Sequence, residues 1–429
     1  MLHDTPVIEI EQPRTVTRVS IPSLRANFAW TFAGNVLYAG CQWGMLSVLA
    51  KLGSPSLVGQ FTLGLAVSAP IFMFTNLQLR AVQATDVTAE FSFADYFTLR
   101  LVATLLGLIV VLALLPFTEG SSAIRIVVLL VSVSKSFECM SDVTAGLLQR
   151  EEKLKRVAIS LMIRGSSSVL FFSLTFAYFR NLALSVATMS AVWLAVVLFY
   201  DLPNARMLIG RHASFFRFDR QALWRVAMLG FPLGLVSTFA SLNANIPRYF
   251  LQHYLGLVDQ GIYASLAYLV VVINLIVAAL SVSVTTRLAR LFADADLRQF
   301  VRLLTKLCML GVLIAAVGVP LTFLAGRPLL TLLYRREYAN NVGLLAMLVG
   351  TAGLTTVLAF LIGGLTAARR FRTQIPICLT SVVTVTVGSA LLVPRYGLLG
   401  AGMAMMISAV AAVLSAMWAM HTVLAAELH

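Results

Sequence analysis

The stretch "SVSKSFECMSDVTAG", residues 132 to 146, places Lys135, Glu138 and Asp142 inside a run that otherwise reads as a membrane span. On a helix, spacings of three, four and seven put all three on one face, with Ser134, Ser141 and Thr144 near the stripe. A charge at mid-bilayer costs roughly 2.5–3.5 kcal/mol on insertion scales, so such residues point into a bundle interior or a wet cavity. Two chemistries fit. A cationic side chain beside a hydrophilic path holds an anion, and a buried carboxylate tuned by its neighbours loads and releases a proton. The plainer reading is an internal ion pair, Lys135 with Glu138, which leaves Asp142 in need of a partner or a proton.

Arg164 sits in the next apolar run, "ISLMIRGSSSVLF" (159–171), with Ser160, Ser167 and Ser168 on its face. A short basic loop makes these two helices antiparallel neighbours. Arg164 is therefore expected to meet Glu138 or Asp142, or to project into a cavity, where a guanidinium grips phosphate or carboxylate in bidentate fashion. "SLNANIPRYF" (241–250) adds Asn243, Asn245 and Arg248. Pro247 is expected to disturb the helix end there and free carbonyls beside a substrate path, while Tyr249 anchors the membrane interface. Asn35 and Gln42 are seven apart and share one face of the first span. Arg80, in "TNLQLRAVQATD", either meets an incoming anion or satisfies the positive-inside rule.

These residues need spans to carry them. The 429 residues are 59% hydrophobic and 12% charged, with mean hydropathy +0.89. A soluble domain carries about 25% charge. The chain is therefore read as an all-α polytopic membrane protein. Runs of about 20 apolar residues fall at 27–50, 57–79, 98–116, 123–148, 157–179, 182–200, 223–246, 261–284, 300–325, 341–367, 373–393 and 396–420. The net charge of +14 follows topology rather than nucleic-acid binding: nineteen basic residues fall in one set of alternate loops and seven in the other. Both termini are then cytoplasmic, and the inner loops attract anionic lipids. Residues 1–26 are polar, with acids first and then Arg14, Arg18 and Arg25, unlike a cleaved signal peptide.

No loop is long enough for a soluble catalytic domain. No GxxxxGK[ST], HExxH or GxSxG occurs, and the four cysteines fall within spans without metal or CxxC spacing. Neither an enzyme, a cofactor nor a metal site is expected. The chain also repeats. "LGSPSLVGQFTLGLA" (52–66) resembles "LGLVDQGIYASLA" (255–267), matching Gly59 to Gly261 and Phe61 to Tyr263. Two bundles of six spans related by duplication follow: an N-terminal tail (1–26), a lobe (27–200), a linker (201–222), a second lobe (223–420) and a short tail (421–429).

Several stretches resemble a known family: "LAKLGSPSLVGQFTLGLAVSAPIFMFTNLQLRAVQATD" (49–86), "SKSFECMSDVTAGLLQREEKL" (134–154), "ISLMIRGSSS" (159–168), "PLGLVSTFASLNANIPRYFLQHYLG" (232–256) and "LLYRREYA" (332–339). Together they look like the polysaccharide transporter branch of the multidrug/oligosaccharidyl-lipid/polysaccharide exporter superfamily. The resemblance implies a flippase for polyprenyl-pyrophosphate-linked oligosaccharides in the bacterial inner membrane. It works by alternating access coupled to an ion gradient, alongside other polysaccharide-assembly membrane proteins. Lys135, Arg164 and Arg248 would serve the diphosphate, and Glu138 and Asp142 the coupling ion. Family cavities draw charge from both lobes, whereas the second half here offers little beyond Arg248. A multidrug exporter of the same superfamily is the alternative; it would want an acidic cavity for organic cations.

Overall fold

A computed structural model describes residues 24–86, 90–118, 120–210, 212–294, 296–368, 370 and 373–427. Arg14 and Arg18 of the expected tail, and Arg211, Arg369 and Arg372 of the basic loops, lie outside the described residues. Every regular element described is helical. The first half holds α1 (Leu24–Leu52), α2 (Pro55–Thr75), α3 (Leu79–Thr85), α4 (Phe93–Leu114), α5 (Ser122–Arg150), α6 (Leu154–Phe179), α7 (Leu182–Val196) and α8 (Leu202–Ile209). The second half holds α9 (Arg220–Leu255), α10 (Leu257–Ala293), α11 (Leu297–Leu333), α12 (Arg336–Ala339), α13 (Val342–Ala367) and α14 (Gln374–Glu427).

Among the described residues, nine helical segments are long and apolar enough to cross a membrane. One of these, α14, bends at Gly397 (φ 58°) and holds two spans. The helices α1 and α5, each 29 residues, are long enough to cross but more polar. The twelve expected spans are thereby all located. The segment 201–222 contains α8 and the start of α9, and α9 runs unbroken through Pro232 and Pro247 to Leu255. The expectation that the helix ends near Asn245 is therefore corrected. A proline removes one backbone bond, which a helix packed on its neighbours tolerates.

In the first half, α1 packs on α6, α6 on α7, and α5 on α2, α3, α4 and α7. In the second, α13 packs on α10, α11 and α14, and α14 on α9. The halves meet chiefly where α2 lies against α9 and α10. At the end away from the arginine-rich loops they share one apolar core, in which Phe61, Trp193, Tyr263, Tyr334 and Tyr338 are buried. At the arginine-rich end the cores separate: Leu79, Tyr96 and Leu147 belong to one, and Phe300, Phe360 and Met420 to another.

The repeat marks the shared end. The helix α2 begins at Pro55 and α10 at Leu257, an offset of 202 from 55 to 257, the offset that relates Gly59 to Gly261. Both glycines are needed for close approach. A Cβ on Gly59 would lie 2.0 Å from the Leu257 carbonyl oxygen, and one on Gly261 would lie 2.1 Å from that of Pro55. Trp43 Nε1 donates to Tyr334 Oη at 3.0 Å, and Arg335 Nη2 to the Lys51 carbonyl at 2.7 Å. Pro70 lacks the N–H that would bond the Ala66 carbonyl. Tyr249 Oη of the other half donates to that carbonyl instead. Tyr249 thus joins the halves rather than anchoring at the membrane interface.

The second span breaks between α2 and α3. Leu77 and Gln78 take left-handed φ values of 49° and 48°. For non-glycine residues this costs about 1–2 kcal/mol each. Two bonds hold the break: Gln78 Nε2 donates to Ser237 Oγ of α9 at 2.8 Å, and Arg100 Nη1 donates to the Asn76 carbonyl at 3.1 Å. Arg100 is fully buried on α4, and its Nη2 also reaches Asp142 Oδ2 at 3.3 Å. A capping box of Ser92 and Asp95 starts α4 at Phe93, well before Arg100.

Two outcomes follow from this packing. Gly59→Val overpacks the shared end at a cost of about 1–3 kcal/mol. Spin labels at positions 51 and 340, both exposed, should then report a longer separation than in the parent; an unchanged distance would mean the ends tolerate a looser fit. Arg100→Met strands Asp142 and the Asn76 carbonyl, costing about 3–5 kcal/mol as for one half of a buried pair. Thermal denaturation in detergent should show that loss, and Asp142→Asn added to it should recover part, because the two residues interact.

Candidate functional site

A cavity of about 480 Å³ lies within the first half. Its walls are α1, the α2–α3 break, α5 and α6. It runs from Tyr38, Lys135 and Arg164 at mid-span to Arg80, Gln149 and Val157 at the arginine-rich end. Gln149 and Ala81 are exposed and mark its mouth. Six residues anticipated from the sequence line it: Asn35, Arg80, Lys135, Glu138, Asp142 and Arg164.

The charged stripe of α5 divides into two ion pairs. Lys135 Nζ donates to Glu138 Oε2 at 2.6 Å, the pair expected from their i,i+3 spacing. Tyr38 Oη donates to the other Glu138 oxygen at 2.9 Å. Asp142 finds its partners on α3 and α4 rather than on α6: Arg80 Nη1 lies 3.5 Å from Oδ1 and Arg100 Nη2 3.3 Å from Oδ2. Arg80 therefore helps to satisfy Asp142 as well as standing near the mouth, and its Nε donates to Gln149 Oε1 at 3.1 Å.

Of the alternatives open to it, Arg164 takes the cavity rather than a carboxylate partner. Among the described residues it makes no ion pair. Its guanidinium carbon lies 5.1 Å from the centre of the Tyr38 ring and 5.5 Å from that of Trp193. Its Nε and Nη1 are buried without a hydrogen-bond partner. Two aromatic faces stabilise the cation by roughly 0.5–2 kcal/mol each but leave its donors free. Trp193 is itself fixed by Nε1 donating to Ser168 Oγ at 2.6 Å, one turn beyond Arg164.

The cavity thus presents three cations, Arg80, Lys135 and Arg164, against two carboxylates, Glu138 and Asp142, with Arg100 behind. Both carboxylates are matched by cations. The donors left unmatched belong to a guanidinium, so the site is chemically fit for an anion.

The remaining anticipated residues lie outside this cavity. Asn243 Oδ1 accepts from Ser408 Oγ at 3.0 Å and ties α9 to α14. Asn245 Nδ2 donates to the Ser241 carbonyl at 2.8 Å, and Asn245 Oδ1 accepts from Arg248 Nη1 at 3.1 Å. Gln42 is half-buried on α1, one turn beyond Tyr38. Tyr38 was open to detection, because it falls between Asn35 and Gln42 on the same helical stripe. Arg100 was open to detection through the Ser92–Asp95 capping box, which moves the helix start upstream of the apolar run. Trp193 carries no such signal in its uncharged span. Among the described residues no group of three or more His, Cys, Asp or Glu could hold a metal.

No family model matches the chain. It is 29% identical over 400 residues to the capsular polysaccharide biosynthesis protein CapF of Staphylococcus aureus, covering 91% of this chain and 97% of that protein. Among solved structures it is similar to the lipid II flippase MurJ in an inward closed conformation, with TM-score 0.71 and 14% identity over 92% of this chain and 87% of that one. It is also similar to an inward-facing multidrug resistance MATE transporter of the MOP superfamily, with TM-score 0.64 and 13% identity over 93% and 95% of the two chains. Structural likeness at such identities establishes the fold alone. The resemblance read from five stretches of sequence is borne out: this multi-pass membrane protein has the fold of the multidrug/oligosaccharidyl-lipid/polysaccharide exporter superfamily and, in CapF, a relative similar along nearly its whole length.

Proposed function

We propose that the protein is a transporter, not an enzyme, that moves polyprenyl-pyrophosphate-linked oligosaccharides across the bacterial inner membrane for assembly of a surface polysaccharide. The observation that carries this reading is Arg164, whose Nε and Nη1 are buried at the wall of a cationic cavity without a partner. A pyrophosphate supplies acceptors for these donors and for Lys135 nearby. A capsular polysaccharide relative along nearly the whole chain and the likeness to a lipid II flippase favour the same substrate class. An antiporter of organic cations fits less well, since both carboxylates of the cavity are already neutralised.

The residues 27–200 and 223–420 act as two lobes that rock about the shared apolar core. The arginine-rich end faces the cytoplasm, with both termini, and meets anionic lipid headgroups there. The cavity mouth lies at that end, so the described arrangement accepts substrate from the inner leaflet. Ion coupling requires a carboxylate that changes protonation. Glu138 and Asp142 were anticipated in that role, and each is engaged by cations.

In a deletion strain of the host, Arg164→Ala should reach the membrane in normal amount yet lower export about tenfold or more, the loss of one charge-assisted hydrogen bond worth about 1.5–3 kcal/mol. Mass spectrometry of the inner-membrane lipids should find one polyprenyl-pyrophosphate oligosaccharide accumulating as the surface polymer disappears. Normal export by both Arg164→Ala and Lys135→Ala would overturn the cavity assignment. Unpolymerised repeat units outside the cell would place the protein among the enzymes instead.

A further inference from the structure

Behind the cavity wall lies a carboxylate that the transport reading has not used. Asp201 is 1% exposed. It closes a π-turn, Val197–Asp201, that joins α7 to α8, where the Leu202 N–H reaches back to the Val197 carbonyl. Such wide turns are rare and recur at functional sites. Asp201 Oδ2 accepts from Ser141 Oγ of α5 at 2.6 Å, and Oδ1 accepts from Ser160 Oγ of α6 at 2.7 Å. Among the described residues no cation pairs with it.

Its surroundings are few. From α5 it faces Ser141, and from α6 Ser160, with the charge of Arg164 acting on it from one turn further along. Beside it in the chain, Tyr200 Oη donates to the Arg156 carbonyl at 3.3 Å, and in α8 Asn204 Oδ1 accepts from Arg156 Nη1 at 2.9 Å, so Arg156 is turned to other partners. Both serines also line the cavity. Each hydroxyl therefore stands between the cavity and one oxygen of a carboxylate that makes no ion pair among the described residues. Glu138 and Asp142, by contrast, are each matched.

We propose that Asp201 is a group that takes up and gives back a proton, through Ser141 and Ser160, and that it does so together with an anion held at Arg164. This rests on the transport reading above. A hydronium ion in the cavity gives a proton to a serine oxygen as that serine's own proton passes to Asp201. The products are water, an intact serine and a neutral carboxylic acid. Neutral Asp201 no longer offsets Arg164, whose full charge then faces the cavity. By reciprocity, an anion at Arg164 favours protonated Asp201.

Farnesyl pyrophosphate, bound by the full-length protein in nanodiscs, is the probe. Calorimetry in buffers of different ionisation enthalpy reads the protons exchanged on binding. The wild type should take up a proton with each anion, Asp201→Asn should bind without uptake, and Asp201→Glu should restore it. Wild-type binding without proton uptake, or uptake retained in D201N, overturns the proposal. Infrared titration of the carboxylic C=O stretch, without ligand, tests the carboxyl itself. A band that grows on acidification and is lost in D201N supports it, and no such band in the wild type overturns it. Should D201N fail to accumulate, Asp201→Glu shifts the same band. Failure of the wild type to bind farnesyl pyrophosphate, with the infrared band present, rejects the pyrophosphate site and the coupling to it while leaving Asp201 as the titrating group.

Discussion

A charge that leaves water for the bilayer must find another charge or a set of hydrogen bonds, and α5 carries three. The rest of the first half is arranged around that requirement. Glu138 is met by Lys135 one turn back and by Tyr38 from α1. Asp142 is met by Arg80 and Arg100, which obliges α3 and α4 to lie against α5. Arg100 can serve Asp142 and the Asn76 carbonyl together only because the second span is broken there. The break in turn swings Arg80 onto the cavity wall. One electrostatic demand thus dictates a helix break, two neighbours and the lining of a cavity. A buried pair is not by itself a stabilising device, since desolvation offsets much of its attraction. Its value here lies in fixing which helix faces which.

The second constraint is steric. Two glycines 202 residues apart, Gly59 and Gly261, let backbones touch where the halves share a core. Small residues do this in membranes because lipid gives helices no hydrophobic reason to associate, leaving van der Waals contact to do so. The contact is confined to one end. At the other the cores are separate, the one around Leu79 taking in Ala222 and Val226 at the start of α9, and the cavity opens there.

Much of this was legible in residue order. Apolar runs located all twelve spans, and the 202-residue offset read from Gly59 and Gly261 recurs in the starts of α2 and α10, while the contact between the two glycines was not legible. The i,i+3 spacing on α5 offered the Lys135–Glu138 pair, the plainer of the two readings, and that pair is present. What was not legible has a common physical cause: periodicity reports which face a residue occupies, not which helix stands opposite. For Asp142 the reading offered Arg164 of α6 among its options because α6 follows α5 in the chain, whereas its cations come from α3 and α4. Pro247 was read as a helix end by its lost hydrogen bond alone, while packing carries α9 through it. Asp201 looked like the first residue of a linker because the apolar run ends at residue 200. Continuation of the helix as α8 keeps it buried instead.

Set side by side, the five acids and bases of mid-span separate by what each can still do. Lys135, Glu138 and Asp142 each have a partner of opposite charge, and moving any one leaves another exposed in low dielectric, where an unpaired charge is most costly. They are suited to hold the shape of the cavity. Arg164 and Asp201 lack such partners, and they sit one helical turn apart through Ser160. One has donors without acceptors, and the other has a negative charge without a cation. A static bundle would gain by joining them into a single pair. Keeping them apart, with serine hydroxyls between, leaves each free to take a partner from the cavity: an anion for the guanidinium and a proton for the carboxylate. Occupancy of either site then alters the field at the other. That is the physical requirement for anion binding to be linked to protonation.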